Sequence, residues 1–254
     1  MKFSKEALIP NGPTVKLASI QYFDFCERKR RCQVPEQVAF GTNDFANNPE
    51  PRCPCVLLLD VSGSMNGQPI TLLNQGVQTY KEAIVADSLA AKRVETAVVL
   101  FGETVQVANE FCTIDMFNPA PFSAGGNTPM GAAILQAIDM VKRRKDDYKA
   151  NGIGYFQPWI FLISDGAPTD EWSLAAAQVK KSSDAKELVF FTVGVEGANF
   201  DVLRQIAGSR EPVRLQGLRF QELFLWLSKS LKQVSRSRPG ETVPLPSPQG
   251  WASV

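Results

Sequence analysis

The stretch CVLLLDVSGSMNGQPI, residues 55–70, contains the features that decide the fold. Its apolar run, residues 56–59, is typical of a strand that is buried on both faces, and the run ends abruptly at Asp60. Small and polar residues follow, among them Ser62 and Ser64. In α/β folds, ligands bind where a strand ends in such a turn. The turn is therefore a candidate site for a phosphate, an acyl group or a metal ion.

Apolar runs that are typical of strands alternate with helical patterns along the rest of the chain. Strands are predicted at residues 56–60, 94–101, 105–114, 159–164, 188–193 and 213–215. Helices are predicted from Pro69 onward, at about 129–147, from about Trp172, and at about 199–207 and 219–235. This alternation predicts an α/β fold with a doubly wound, mainly parallel central sheet and helices on both faces. The strand after residue 105 is expected to be an antiparallel edge strand.

The chain divides into three segments by composition. Residues 1–52 are predicted to be an N-terminal extension that is partly extended, and residues 53–235 the folded α/β domain. Residues 236–254 are a proline-rich tail without periodicity, which we expect to be extended or disordered. Trp251 is the large apolar residue of this tail, and we expect it to anchor the tail on the domain or on a partner.

The charge balance gives no general attraction for nucleic acids or anionic membranes, because 27 basic and 26 acidic side chains leave a net charge of +1. No apolar run approaches the roughly 20 residues that span a bilayer. The first residues, MKFSKEALIPNGPT, lack the apolar segment of a secretory signal. We therefore expect a cytoplasmic protein.

The cysteines and the missing histidine restrict the possible chemistry. The chain has five cysteines, Cys26, Cys32, Cys53, Cys55 and Cys112, which we interpret as reduced thiols. Zinc binding by the first four stays open, although their spacings are not those of common zinc sites. The chain has no histidine, which excludes Ser-His-Asp and Cys-His nucleophile systems and histidine-rich metal sites.

Polar residues at three loop positions are predicted to converge on one site. Asp60 and Asp165 each end an apolar strand, and Thr128 lies in GGNTPM, just before a helix predicted to begin at Pro129. The carboxyl ends of parallel strands share one edge of a sheet, so these loops are expected to meet. With Ser62 and Ser64 they supply only oxygen ligands, a set that suits Mg²⁺ or Mn²⁺.

Each rival interpretation of the turn after Asp60 requires a residue that this chain does not have at the necessary position. A Walker-type phosphate loop needs a lysine after its second glycine, and none follows Gly67. A dehalogenase-type phosphatase needs a second carboxylate where this chain has Ser62. A nucleophile elbow needs glycines on both sides of the serine, where Ser64 has Ser62 and Asn66. Taken singly, the three motifs are also compatible with ordinary turns and helix caps.

Together, DVSGSM, GGNTPM and ISDGAPTD resemble the von Willebrand factor A (VWA) domain and its metal-ion-dependent adhesion site. The resemblance covers roughly residues 53–235, so that the predicted folded domain corresponds to a VWA domain. The chain also looks similar to stand-alone bacterial A-domain proteins of the TerY type. These are associated with tellurium-resistance gene clusters, often beside a Ser/Thr kinase and a metal-dependent phosphatase. The segment 1–52 is longer than this resemblance predicts.

The resemblance implies that Ser62, Ser64 and Thr128 bind the metal, with Asp60 and Asp165 acting directly or through water. It also implies that the open position of the metal takes an Asp or Glu from a partner protein, so that the site docks and does not catalyse. That partner would be a kinase or phosphatase of the same gene cluster, in a stress-response setting. A metal-dependent phosphate-ester hydrolase and a structural subunit without metal remain as alternatives.

Residues beside the predicted site have two possible roles. Phe122, Met130 and Trp172 are either interface anchors on the rim of the site or locally packed side chains. Asp170 and Glu171 are predicted to belong to the N-terminal turn of the following helix, where acidic side chains complement the helix dipole.

Overall fold

A computed structural model of the chain describes residues 42–248 and 250–253. Most of the predicted N-terminal extension lies outside these residues, and so do Cys26 and Cys32. The boundaries proposed for the three segments of the chain stay predictions.

The described residues form strands and helices that alternate along the chain. The strands are β1 (Cys53–Asp60), β2 (Val94–Phe101), β3 (Val105–Thr113), β4 (Trp159–Ser164), β5 (Val189–Gly194), β6 (Val213–Leu215) and β7 (Ala252–Ser253). The helices are α1 (Thr42–Asn47), α2 (Gln68–Val85), α3 (Ser88–Arg93), α4 (Met130–Ala150), α5 (Ser173–Asp184), α6 (Phe200–Ile206) and α7 (Phe220–Arg236). The short elements α1, α3 and β7 were not predicted from the sequence.

The strands form one sheet in the order β3-β2-β1-β4-β5-β6-β7. Strand β1 pairs in parallel with both β2 and β4, and β4, β5 and β6 continue the parallel arrangement. Strand β3 is antiparallel to β2, as expected. The predicted mainly parallel sheet is therefore confirmed. The other edge carries a second antiparallel strand, β7, which pairs with β6.

Both faces of the sheet are covered, because alternate residues of β1 belong to two different clusters of buried apolar side chains. Leu57 and Leu59 pack in the cluster that contains the apolar stripes of α2 and α7. Val56 and Leu58 pack in the cluster that contains α4 and α5. A strand that is covered on both faces must be apolar throughout, which explains the continuous apolar run.

The crevice for a ligand lies between β1 and β4, because the chain leaves β1 toward β2 on one side and returns to β4 on the other. This is the position at which open α/β sheets bind ligands. Leu59 and Ile163 are paired in the register of the two strands. Asp60 and Ser164, the next residues, therefore end neighbouring strands side by side.

At the amino ends of the strands, the sheet is held by a buried ion network around Glu95. The Glu95 carboxylate accepts hydrogen bonds from Arg52 Nε at 2.9 Å, from Arg144 Nε and Nη2 at 2.8 and 2.9 Å, and from Tyr148 Oη at 2.5 Å. Both Glu95 and Arg52 are 1% exposed. Two guanidinium groups thus neutralise a single buried carboxylate.

The tail returns to the domain after α7. Trp251 is 4% exposed and its ring centroid lies 5.5 Å from that of Trp226 on α7. The backbone of Gln216 donates a hydrogen bond to the Trp251 carbonyl at 2.9 Å, next to the β6–β7 pairing. The predicted anchoring by Trp251 is therefore observed on the domain itself.

Among residues 42–248 and 250–253, no helix is both long enough and apolar enough to cross a lipid bilayer.

Candidate metal centre

The loop after β1 places two serine hydroxyls next to each other. The backbone N–H of Ser62 donates to Asp60 Oδ1 at 2.9 Å, which bends the chain back over the strand end. Residues Gly63–Met65 then form a single 3₁₀ turn. The hydroxyl oxygens of Ser62 and Ser64 lie 3.0 Å apart. The tight turn thus brings both hydroxyls together without the alternation of a strand.

The end of β4 joins this cluster through two further hydrogen bonds. Ser64 Oγ donates to Asp165 Oδ1 at 2.8 Å. Ser164 Oγ donates to Asp60 Oδ2 at 2.5 Å. The hydroxyl-bearing loop after β1 is therefore linked to the ends of both central strands, and four of the five predicted ligands lie in one hydrogen-bonded group.

Thr128 enters the site from the loop before α4, and its backbone is fixed by Thr169. The N–H of Thr128 donates to Thr169 Oγ1 at 3.0 Å, and the Thr128 carbonyl accepts from the N–H of Thr169 at 2.9 Å. A Cβ atom on Gly166 would lie 3.5 Å from Thr128 Oγ1 and 4.0 Å from Asp60 Oδ2. Both oxygens therefore border one small space. The helix itself begins at Met130, one residue later than predicted.

Glycines let three loops approach closely enough to form the site. The N–H of Gly63 donates to the carbonyl of Gly126 at 3.0 Å, and the N–H of Gly125 to the carbonyl of Val61 at 2.8 Å. Gly126 has φ = 78°, and a Cβ there would lie 2.3 Å from the Cα of Glu103. Only glycine fits this conformation and this contact, which explains the second glycine of the GG pair before Thr128.

The two carboxylates are buried next to one another. Asp60 is 0% exposed and Asp165 is 9% exposed. Burial raises the pKa of Asp60, and the nearby charge of Asp165 adds to this, while hydrogen bonds from Ser164 and Ser62 oppose it. Burial also raises the pKa of Asp165. Among the described residues, neither carboxylate forms an ion pair with a lysine or arginine. The site thus contains uncompensated negative charge.

This set of donors fits a hard divalent cation. The carboxylates and hydroxyls supply only oxygen atoms, and a cation would offset the cost of burying two unpaired negative charges. Ser64 is solvent-exposed whereas Ser62 is buried, so the cluster has one open side. The residues present therefore fit Mg²⁺ or Mn²⁺, with Asp60, Ser62, Ser64, Thr128 and Asp165 as the ones that would hold it.

The cysteines of β1 are placed as core residues. Cys53 and Cys55 are both fully buried, and burial raises the pKa of the Cys53 thiol to about 12. Thiolates are the form that binds zinc, so a raised pKa disfavours it. Within the described ranges, no group of three or more His, Cys, Asp or Glu side chains is arranged to hold a metal.

The three apolar side chains predicted near the rim pack locally. Phe122 is 7% exposed and Met130 is 0% exposed, and each belongs to a buried apolar cluster. Trp172 is half-buried and packs against the cluster that contains α4 and α5. Of the two roles considered for these residues, local packing is the one observed.

Asp170 caps a different helix from the one predicted. Its carboxylate accepts hydrogen bonds from the N–H groups of Gly131 and Ala132, at 3.0 and 2.8 Å, at the start of α4. Glu171 does act at the following helix, because it accepts from the N–H of Ser173 at 2.8 Å. The prediction for Asp170 was wrong because a cap supplied from another loop depends on packing, which adjacent sequence does not encode.

Two residues near the site, Ser164 and Thr169, were not predicted from the sequence. Ser164 is the last residue of β4, and the parallel register with β1 places it beside Asp60. The sequence ISDG contains a signal for it, since a polar residue directly before Asp165 interrupts the apolar run one position early. Thr169 acts through its contacts with Thr128, for which the local sequence holds no comparable signal.

Comparison with known proteins gives one family. The family model of the von Willebrand factor type A domain matches residues 55–220. This range includes all five candidate ligands. A comparison with curated protein sequences finds no match.

Several solved structures are similar to this chain, all at low sequence identity. The pilus adhesin SpaC from Lactobacillus rhamnosus GG, in its open conformation, has 14% identity and a TM-score of 0.57, covering 72% of this chain and 30% of that chain. Proximal thread matrix protein 1 from the mussel byssus has 18% identity and a TM-score of 0.51, covering 72% and 48%. Manganese-loaded Plasmodium vivax TRAP protein has 23% identity and a TM-score of 0.44, covering 63% of each chain.

The first two of these likenesses support the fold. The chain spans less than half of the length of the mussel protein and less than a third of that of the adhesin.

Proposed function

Because the chain belongs to the von Willebrand factor type A family, we propose that it is a divalent-metal-dependent protein-binding module. Asp60, Ser62, Ser64, Thr128 and Asp165 are the proposed ligands of Mg²⁺ or Mn²⁺. The observation that carries the proposal is the pair of buried aspartates, which are linked through serine hydroxyls and have no ion-pair partner among the described residues. A cation is the partner that this arrangement lacks.

The roles of the five residues follow from their charge. Ser62, Ser64 and Thr128 offer neutral oxygens, and the charges of Asp60 and Asp165 balance the two charges of the cation. A metal with mostly neutral direct ligands attracts a further carboxylate. Because Ser64 is exposed, an acidic side chain of a partner protein can approach the cluster from that side.

The biological setting is a finer proposal, supported by the resemblance of DVSGSM, GGNTPM and ISDGAPTD to TerY-type proteins. We place the chain in a bacterial cytoplasm, within a tellurite-resistance, stress-response or phospho-signalling system. Its partner is then a protein that exposes an Asp or Glu, such as a kinase or phosphatase of the same gene cluster.

Docking is favoured over catalysis by the positions of the neighbouring acids. Asp170 binds the N–H groups at the start of α4, and Glu171 binds the N–H of Ser173. Both carboxylates that could have served as a general base therefore have structural hydrogen bonds. Turnover of a generic phosphate ester by the wild type, abolished in Asp60→Asn, would instead support a metal-dependent hydrolase.

The first experiment measures thermal stability with Mg²⁺, with Mn²⁺ and with EDTA. Either metal should raise the Tm of the wild type and EDTA should reverse the change, whereas Asp60→Ala should not respond. Asp146→Ala is the matched control, because Asp146 is an exposed residue of α4 about 24 Å along the helix from its start. A wild type that ignores both metals would favour a structural subunit without metal.

The second experiment identifies the partner. The tagged wild type is used for affinity purification in Mg²⁺ or in EDTA, and the captured proteins are compared with those captured by Asp60→Ala. The proposal expects proteins that are captured only by the wild type and only with metal. Capture that is the same under all three conditions contradicts a metal-bridged contact.

A further inference from the structure

One stripe of α7 carries three hydrogen-bond donors spaced seven residues apart. They are Arg219, which precedes the helix, Trp226 and Gln233. Seven residues are about two helical turns, so the three side chains lie on one face of the helix. Their acceptors are backbone carbonyls of the tail. Arg219 Nη1 donates to Gly250, Trp226 Nε1 to Pro246 at 2.8 Å, and Gln233 Nε2 to Pro244 at 3.0 Å.

A tight turn sends the tail back along this stripe. Glu241 donates its N–H to the carbonyl of Arg238 at 3.0 Å, and the two residues between them are Pro239 and Gly240. Gly240 has φ = 92°. Proline followed by a glycine at positive φ is the signature of a type II turn. Beyond the turn, the order of the three acceptors shows that the tail runs antiparallel to α7.

The tail segment has the chemistry of a polyproline ligand. Proline occupies every second position, at Pro244, Pro246 and Pro248. Each proline lacks an N–H and fixes its own φ, and it also restricts the preceding residue to extended conformations. The carbonyl oxygens are therefore the main polar groups that such a segment can offer. Trp226 and Gln233 bind two of those carbonyls.

Aromatic rings form the floor beneath the tail. On the domain, the Trp226 ring centroid lies 6.3 Å from that of Phe161 and 6.2 Å from that of Phe191. The Trp251 ring of the tail packs on this floor, with its centroid 5.5 Å from that of Trp226. Leu245 packs against the same apolar cluster. Proline-rich segments are commonly recognised by aromatic-lined grooves of this kind.

Side chains of the groove donate the hydrogen bonds that bind the middle of the tail, as they do when a protein binds a separate peptide ligand. Among the described residues, no backbone–backbone hydrogen bond involves residues 242–248. In the part of the tail that the structure describes, residues 252–253 are the ones that pair with β6. Between the turn and Trp251, its contacts with α7 therefore use donors and rings that remain on the domain if the tail leaves.

We propose that this groove, formed by the stripe of α7 and the aromatic floor, is a docking site for a proline-rich segment of another protein. The chain's own tail occupies the groove in cis and serves as the template for that segment. A linked ligand has an effective concentration in the millimolar range, so a partner segment binds well only when the tail is displaced. This site is separate from the proposed metal centre and does not depend on it.

The test uses a fluorescently labelled peptide with the sequence of residues 239–254 and measures its binding to the full chain. Trp251→Ala weakens the anchor of the cis tail but leaves the groove complete, so this variant should bind the peptide at least tenfold more tightly than the wild type. Gly240→Val is a second way to release the tail from the groove. It disfavours the turn at a solvent-exposed position and leaves the core unchanged. Ser247→Ala, at an exposed tail position, is the matched control and should behave as the wild type.

Two further comparisons report on the groove. Adding Trp226→Phe or Gln233→Ala to Trp251→Ala removes one donor and should weaken the peptide by roughly 2- to 10-fold, as expected for one hydrogen bond. A peptide in which Pro244, Pro246 and Pro248 are alanine should also bind more weakly. Asp60→Ala in EDTA should leave the peptide affinity of the Trp251→Ala chain unchanged, which separates this site from the metal centre.

The proposal is overturned if Trp251→Ala and Gly240→Val are both folded, by circular dichroism, and neither binds the peptide. Binding that is insensitive to the loss of both α7 donors would overturn it as well. If the wild type forms dimers that excess peptide dissociates, the occupant is the tail of a second copy and the assignment to another protein is wrong.

Discussion

Glu95 and Asp60 are both almost completely buried carboxylates, yet the protein surrounds them with opposite chemistry. Glu95 lies at the amino end of β2, where two arginines and a tyrosine donate to it. Asp60 lies at the carboxyl end of the neighbouring strand β1, where its donors are the Ser164 hydroxyl and the Ser62 N–H. One carboxylate is neutralised by the chain, whereas the other receives only neutral donors.

This difference indicates which carboxylate is structural and which is available for an external ion. Burying an ionised carboxylate without a counter-charge is costly, and the fold meets this cost at Glu95 with Arg52 and Arg144. At Asp60 a second carboxylate, Asp165, lies nearby and raises its pKa further. The comparison therefore predicts opposite responses when the two charges are removed.

The largest expected effect is at Glu95. Glu95→Gln leaves the buried guanidinium of Arg52 and the partly buried one of Arg144 without the carboxylate they share, and should lower the free energy of unfolding by about 3–5 kcal/mol. Asp60→Asn, measured by urea denaturation in EDTA, should change stability little or increase it, because one of two neighbouring negative charges is removed. If both substitutions lowered the free energy of unfolding equally, the proposed difference between a neutralised carboxylate at Glu95 and an unpaired one at Asp60 would be wrong.

The second effect concerns metal binding. At a metal concentration of a hundred times Kd, Mg²⁺ or Mn²⁺ should stabilise the wild type by about 2.7 kcal/mol, because only the folded chain holds the site. Glu95→Gln should gain the same free energy of unfolding from the metal, although its stability without metal is lower. Asp60→Ala should gain none. Denaturation midpoints with and without metal measure all three. A metal increment that survives in Asp60→Ala would place the ion elsewhere.

The sequence was sufficient for six of the seven strands of the described sheet and for the convergence of the candidate ligands. Residues 159–164 were predicted with the bounds that β4 has, because an apolar run with a polar end marks a buried parallel strand. The bounds predicted for residues 213–215 also agree with β6. The five candidate ligands followed from the strand ends and from the VWA-like motifs. Their role in binding metal stays a prediction.

What the sequence did not reveal depends on contacts between distant segments. The donation from Ser164 to Asp60 and the capping of α4 by Asp170 join residues that are far apart in the chain. Strand β7 has only two residues and follows prolines, so its pattern carries no strand signal. Glu95 likewise appears as an isolated charge until the fold brings Arg52 and Arg144 to it.

A smaller effect is expected from filling the space beside Asp60. A Cβ on Gly166 would make ordinary contacts with Thr128 and Asp60, so Gly166→Ala should fold normally in EDTA. It occupies the space that both oxygens border, and we expect Kd for metal to rise about tenfold. At the metal concentration used above, the stabilisation should fall to about 1.4 kcal/mol. Gly125→Ala, where a Cβ meets nothing within 4 Å, is the matched control.

The smallest effect is at Asp170, a third carboxylate, which is neutralised by backbone N–H groups. Its two oxygens accept from Gly131 and Ala132 at the start of α4, where the helix dipole favours negative charge. Asp170→Ala should therefore cost about 1 kcal/mol, as the loss of a helix cap does, with the same cost in metal and in EDTA. Glu171→Ala, at the neighbouring exposed residue, is the comparison for a cap on α5. Because Asp170 has a structural role, the metal increment itself should not change. If Asp170→Ala abolished that increment while retaining the stability of the wild type in EDTA, Asp170 would belong with Asp60 as a residue that serves the ion.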